Sequence, residues 1–264
     1  MERKRLLVLG SGYTGVEVAR RGVAEGLTVF ASVRRPEQVA DIERLGATPL
    51  LREALDSSLA EYVDPSTHVV VTFPPDGATD ERIAPALARA GAITYVSTTS
   101  VYGNITGHID DDTPVPAPTE QTRPRLLAEA TYRNLGGTVL RCPGIYGATR
   151  GLHRRVLRGE YSMPGDGSAI SSRIHVYDLA SFILASTATR AETFVVGDLQ
   201  PATQREVVGW ICATHGLPLP GSAPIAGVSR TLKANRAIDS ERARRLLGVA
   251  LRYPTFREGM SERA

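Results

Sequence analysis

Residues 5–15 read Arg-Leu-Leu-Val-Leu-Gly10-Ser-Gly12-Tyr13-Thr14-Gly15. A short apolar run stops at the first glycine, and Val16–Ala24, with apolar residues at helical spacing, follows the third. Strand, Gly-x-Gly-x-x-Gly, helix is the order a dinucleotide-binding turn requires. The first glycine permits a tight turn and the second lets backbone approach a pyrophosphate. The third lets helix and strand pack closely. Free N–H groups at the helix start then face the phosphates. Gly10, Gly12, Tyr13, Thr14 and Gly15 are therefore the expected cofactor-binding residues of this turn.

The same two patterns alternate through the first half of the chain. Thr28–Ser32, Thr48–Leu51, His68–Phe73, Ala92–Ser97 and Gly137–Arg141 are apolar runs. Between them lie helix-like stretches: one opened by Pro36 and closed by Gly46, then Asp80–Ala90 and Thr119–Asn134. The runs are continuous rather than alternating, which predicts a parallel sheet covered on both faces. The expected class is α/β, a Rossmann-type doubly wound sheet. After about residue 148 the pattern weakens into the Met163–Gly167 turn, a helix over Asp178–Ser186 and a strand over Thr193–Val196. A helix over Gln204–Thr214 and a proline-rich stretch over Leu217–Pro224 follow. The expected organisation is a dinucleotide-binding domain over residues 1–148. A smaller substrate-side lobe over 149–264 sends one or two strands back to the sheet.

Composition removes other classes. The 264 residues are 42% hydrophobic and 22% charged, as in a soluble globular chain. No apolar run reaches the roughly 18 to 20 residues that span a bilayer. The basic Met1–Arg5 precedes an apolar stretch too short for a signal-peptide core. Net charge is +3 without a basic run, so a small molecule is the expected partner, and neither nucleic acid nor membrane is. Cys142, Cys212 and five scattered histidines show no metal-site spacing, and a reducing cytoplasm is the expected location. Of the 31 basic residues only Lys4 and Lys233 are lysine.

The second apolar run bears on the choice of cofactor. An NAD site places an acid about 20 residues beyond the glycine turn to hold the ribose hydroxyls. No Asp or Glu lies between Gly26 and Pro36, and the run ends Ser32-Val33-Arg34-Arg35. Arginine there holds a 2′-phosphate through forked, charge-assisted hydrogen bonds. NADP(H) is the expected cofactor, with NAD(H) second.

Further segments carry a resemblance: Val96-Ser-Thr-Thr-Ser-Val-Tyr-Gly103, Leu140-Arg-Cys-Pro-Gly-Ile-Tyr-Gly147, Arg173-Ile-His-Val-Tyr-Asp-Leu-Ala180, and Ser240–Gly248 before Tyr253-Pro254. With Gly10–Gly15, these resemble the short-chain dehydrogenase/reductase superfamily, in its extended or atypical extended branch of epimerases and dehydratases. The resemblance implies a catalytic Ser/Thr at Thr98, whose hydroxyl bonds the substrate oxygen where charge develops. It implies a Tyr-x-x-x-Lys pair on the next helix. Anchoring that helix on Glu129 puts the pair on Gln121 and Arg125, and no Tyr-x-x-x-Lys occurs in the sequence. Arginine keeps the positive charge that holds the nicotinamide ribose, whereas an amide cannot supply the tyrosine's proton. Phe73, Pro74, Arg125 and Pro143 are the remaining cofactor residues expected on this basis. Tyr102, Tyr146 and His108 are candidate substitute acids, Tyr102 foremost.

Asp110-Asp-Asp112 reads as an exposed loop rather than a metal site. His175 and Asp178 read as fold residues, with Asp178 as a helix N-cap. By analogy with the superfamily, the helices over Asp80–Ala90 and Thr119–Asn134 could form a homodimer face. Three functions fit: an NADP(H)-dependent oxidoreductase or epimerase on a small metabolite, a catalytically impaired NADP(H) sensor or regulator, or a non-redox enzyme reusing the fold. An already cationic substrate, such as an iminium, would accept hydride without the missing proton.

Overall fold

In a computed structural model, the structure of the chain is described for residues 5–224 and 234–261. Lys4 and Lys233, and all of the basic N-terminal stretch except Arg5, lie outside the described residues. The chain runs β1 (Arg5–Leu9), α1 (Tyr13–Ala24), β2 (Thr28–Val33), α2 (Val39–Arg44), β3 (Thr48–Leu51), β4 (Thr67–Val71), α3 (Thr79–Leu87) and β5 (Ala92–Thr98). It continues through β6 (Gly107–Ile109), α4 (Arg123–Asn134), β7 (Thr138–Cys142), β8 (Gly144–Tyr146), α5 (Leu152–Leu157), β9 (Met163–Pro164), β10 (Ile170–Ser171) and β11 (Arg173–His175). Next come α6 (Val176–Ala185), β12 (Thr193–Val195), β13 (Ala202–Thr203), α7 (Gln204–His215), β14 (Ser222–Ala223) and β15 (Arg236–Ile238), then short helices at Glu241–Leu247 and Phe256–Met260.

Seven strands form one parallel sheet in the order β12-β7-β5-β4-β1-β2-β3. Successive side chains of a strand point to opposite faces, and both faces are apolar. Leu6 and Val8 enter a core with Val18, Leu140 and Phe182. Leu7 and Leu9 enter another with Val69, Val71, Ile83, Tyr95 and Tyr132. This is the Rossmann-type doubly wound sheet expected from the continuous apolar runs. The chain winds outward in both directions from β1 and β4, so their C-terminal ends open onto the crevice where such sheets bind ligands.

Chain beyond residue 148 rejoins this body: β12 pairs with β7, and α6 packs on α1. Smaller ladders, β8 with β11, β6 with β15 and β10 with β13, surround the C-terminal ends.

Three local expectations are corrected. The helix expected from Thr119 begins at Arg123, because Pro124 sits in its first turn and the Thr119 and Thr122 hydroxyls close a preceding turn. Asp178 does not cap α6. His175 does, its Nδ1 accepting from the Tyr177 N–H at 3.2 Å. The Asp178 carboxylate accepts instead from the Arg252 and Tyr253 N–H groups, at 2.8 and 3.0 Å. Finally, Asp111 is not an exposed loop acid. Its side chain accepts from the Val195 N–H and pairs with Arg242 at 3.1 Å, fastening the loop to β12.

Candidate functional site: a dinucleotide turn beside a cleft without an acid

The three glycines of the turn differ in what surrounds them. Gly10 has φ +100°, and a Cβ there would meet the Phe73 nitrogen at 2.9 Å. A Cβ on Gly15 would lie 2.1 Å from the Gly10 carbonyl oxygen. A Cβ on Gly12 would meet nothing within 4 Å. Gly10 and Gly15 are thus required by the protein's own packing, while Gly12 faces open space at the start of α1. The turn is held from β2: Ser32 Oγ accepts from the Gly10 N–H at 2.9 Å, and the Ser32 carbonyl from the Ser11 N–H at 3.2 Å. Ser11 Oγ is buried without a hydrogen-bond partner, a donor left over beside the turn. An empty approach at Gly12, exposed N–H groups at a helix start and a spare hydroxyl fit a pyrophosphate. Sequence reasoning missed Ser11 and Ser32; a serine ending the second apolar run was the available signal.

Arg34 and Arg35 follow β2 and are exposed. Arg35 leans toward Glu37 at 3.4 Å, and no acid among the described residues pairs with Arg34. Phe73 and Pro74 follow β4, with Phe73 against Gly10. Tyr13 lies under the Arg150 guanidinium, 5.2 Å from the ring centre. Thr14 is buried in the first turn of α1.

Beyond the sheet's C-terminal edge lies a cleft of about 170 Å³. Thr98, Gln121 and Pro143 line it together with Ser171 and Arg236. Thr98 ends β5, and its Oγ1 accepts from the Ser100 N–H at 3.2 Å. Gln121 is exposed just before α4. Arg125, one helical turn on, donates to the Tyr95 hydroxyl at 2.8 Å, which holds its head against β5. Arg236, unforeseen from sequence, donates to the carbonyls of Thr99 (2.8 Å), Ile105 (2.7 Å) and Gly103. Its charge is therefore spent on shaping the loop after β5.

The expected substitute acids are not in this cleft. Tyr102 is fully buried, its hydroxyl bound by Arg141 at 3.2 Å and directed at the Asp110 carbonyl. Burial pushes its phenol above the usual range. Tyr146 is also buried, its hydroxyl donating to the Thr255 carbonyl at 3.4 Å. His108 lies on β6, 3.5 Å from Asp239. Tyrosine-glycine pairs fill the core beside β5 and β8 because the ring is a large apolar payload whose hydroxyl needs only one partner. Arg236 alone among the described lining residues is ionisable, and no Asp, Glu, His, Tyr, Lys or Cys is among them. The described residues contain no cluster of His, Cys, Asp and Glu able to hold a metal, and no helix long and apolar enough to cross a membrane.

No family model matches the chain. It is 30% identical to a conserved protein of unknown function from Silicibacter pomeroyi, over 97% of this chain and 96% of that one, with a TM-score of 0.84. The chain belongs to the extended short-chain dehydrogenase/reductase superfamily. The UDP-glucuronic acid 4-epimerase of Bacillus cereus, solved with NAD, shares this superfamily fold at a TM-score of 0.80 and 14% identity, over 98% of this chain and 97% of that one. A Streptomyces protein described as a 3-diazoavenalumate denitrifying reductase is 27% identical over 258 residues, 89% of this chain and 82% of its own. Thr98 and Gln121, the positions where the sequence resemblance implies a catalytic hydroxyl and a proton donor, both line the cleft.

Proposed function

We propose that this superfamily member is an NADP(H)-dependent reductase of a small molecule that already carries its activating charge. The carrying observation is the cleft itself: beside Thr98 and Gln121, no described lining side chain can deliver a proton. When bound, the nicotinamide supplies hydride. Ketone reduction also needs a proton on the developing alkoxide, and acid help there is typically worth about 10² to 10⁴-fold. A cationic electrophile needs none. An aryl diazonium is one such group: hydride adds to its terminal nitrogen, the aryl diazene forms, and loss of N2 leaves a ring C–H. The denitrifying relative acts on a diazo compound, which supports this class.

The protein's part is binding and orientation. Gly10–Gly15 and Ser11 would hold the pyrophosphate, and Phe73, Pro74, Arg125 and Pro143 the nicotinamide end. The Thr98 hydroxyl and Gln121 amide would orient the substrate by hydrogen bonds. Residues beyond about 149 would form the substrate side. Catalytic silence, with the protein acting as an NADP(H) sensor, is the second reading, favoured by the same lack of an acid.

The test is NADPH oxidation with an aryl diazonium salt, an iminium and a ketone panel. Turnover of the cationic substrates with little on ketones is expected. In Gln121→Tyr with Arg125→Lys, ketone reduction is expected to rise by about 10²-fold. Strong wild-type ketone reduction sinks the proposal, and no turnover of any substrate leaves the sensor reading.

Cofactor choice is tested by calorimetry. NADPH is expected to bind at least about tenfold more tightly than NADH, through the unpaired Arg34, and Arg34→Ala to remove most of that preference. Equal affinities, or an unaltered preference in Arg34→Ala, refute the assignment.

A further inference from the structure

A second cavity, of about 410 Å³, adjoins the cleft and shares Gly144, Ser171 and Ser172 with it. Arg150, Arg154, Arg155, Arg158 and Arg173 line it, and no described Asp or Glu does. Most of these guanidinium groups are engaged. Arg158 pairs with Glu160 at 2.8 Å, and Arg155 donates to the Glu160 carbonyl beside the Tyr161 ring. Arg150 covers Tyr13, and the buried Arg173 donates to Ser171 and Gln200, with Asp198 as its nearby charge.

Arg154 differs. It has no acidic partner among the described residues, and its Nε is shielded from solvent with no hydrogen-bond acceptor. Arg154 thus brings to the cavity a positive charge that no acid among the described residues balances, which an anion from outside the chain would complement. Beside the arginines, Ile145, Leu152, Met260 and the Tyr146 ring give the wall apolar surface, and Thr149, Ser171 and Ser172 add hydroxyls. At the wall shared with the cleft, a Cβ on Gly144 would approach only the Ser172 carbonyl oxygen, at 3.9 Å.

We propose that this cavity seats the carboxylate of an elongated aromatic acid whose reacting end reaches Thr98 and Gln121. The inference rests on the reductase reading only for what happens at that reacting end. A guanidinium fork suits carboxylates and phosphates alike. One arginine without an acidic partner among the described residues, beside Ile145, Leu152, Met260 and the Tyr146 ring, matches a single carboxylate on a flat hydrocarbon, whereas a nucleotide diphosphate brings two or more charges.

The probes are trans-cinnamate, its neutral isostere trans-cinnamamide, and UDP-glucose, titrated calorimetrically into the full chain with NADP+ present. Cinnamate is expected to bind about tenfold more tightly than cinnamamide. Arg154→Ala is expected to remove that difference while leaving NADP+ affinity unchanged, and Arg154→Lys to restore part of it. Arg155→Ala serves as a second variant should Arg154→Ala not fold, with a smaller loss in the same direction. Equal binding of acid and amide, or UDP-glucose binding more tightly than cinnamate with dependence on Arg154, overturns the proposal. Diazonium turnover is measured in parallel. Discrimination for cinnamate without turnover removes the reductase reading and keeps the anion site, whereas turnover without discrimination does the reverse.

Discussion

A Gly12→Val variant is expected to lose NADPH affinity by more than about 100-fold, roughly 2.7 kcal/mol, while folding as the parent does. The three glycines of the turn make this separation of binding from folding possible. At Gly15 an added Cβ collides with the Gly10 carbonyl, and at Gly10 a positive φ and the Phe73 backbone forbid it, so substitution there damages the fold. Gly12 has neither restriction: φ is −83°, and nothing lies within 4 Å of its would-be Cβ. Valine is therefore accommodated by the protein and rejected only by a ligand that must approach the backbone. Circular dichroism and thermal melting read the fold, and calorimetry reads NADPH. Unchanged affinity in the folded variant would falsify the placement of the pyrophosphate at this turn. A variant that fails to fold would show that Gly12 serves packing instead.

What could be read from sequence was whatever repeats within a short window. Continuous apolar runs over four or more residues mark the sheet: Arg5–Leu9 and Thr48–Leu51 match their strands, and the others shift by one or two residues at one or both ends. The glycine turn was legible because its three positions each carry a different steric demand. Ladders of two or three residues, such as β8 with β11 or β6 with β15, have no periodicity to detect. Contacts between distant positions were equally hidden. Asp111 finds Arg242 across 131 positions, and Arg236 reaches the carbonyls after β5 across more than 130. The tyrosines of the two Tyr-Gly pairs illustrate the same gap. The family pattern suggested a catalytic Tyr102, but four residues past the strand its side chain turns into the core, toward Arg141. The arginine cavity went unseen because a chain that uses arginine almost everywhere hides a cluster assembled from α5 and β11.

Glu129→Ala is expected to destabilise the protein by about 3–5 kcal/mol, with the melting temperature lowered by roughly 10 °C. Glu129 on α4 is fully buried. Both carboxylate oxygens receive the Arg141 guanidinium, at 3.1 and 2.7 Å, and Ser97 Oγ donates at 2.5 Å. Three elements, β5, α4 and β7, are thereby tied at one point below the cleft. Removing the carboxylate strands a guanidinium that is 7% exposed, with Tyr102 the one acceptor left to it among the described residues. An uncompensated buried charge costs far more than the net worth of the pair, because the desolvation is no longer offset. The paired replacement Glu129→Leu with Arg141→Met is therefore expected to recover most of the loss, which a simple cavity effect would not allow. Urea denaturation of the two single variants and the double variant measures this coupling. A loss below about 1 kcal/mol in Glu129→Ala, or no recovery in the double variant, would refute the ion pair as the clamp between α4 and the sheet. Under the proposed function the clamp would also position the cleft, since Thr98 is the residue after Ser97, Pro143 lies two residues past Arg141, and Arg125 lies one turn before Glu129 on α4. In the folded fraction of Glu129→Ala, substrate turnover is accordingly expected to fall further than NADPH affinity, because Gly10–Gly15 is anchored from β2 and does not depend on α4.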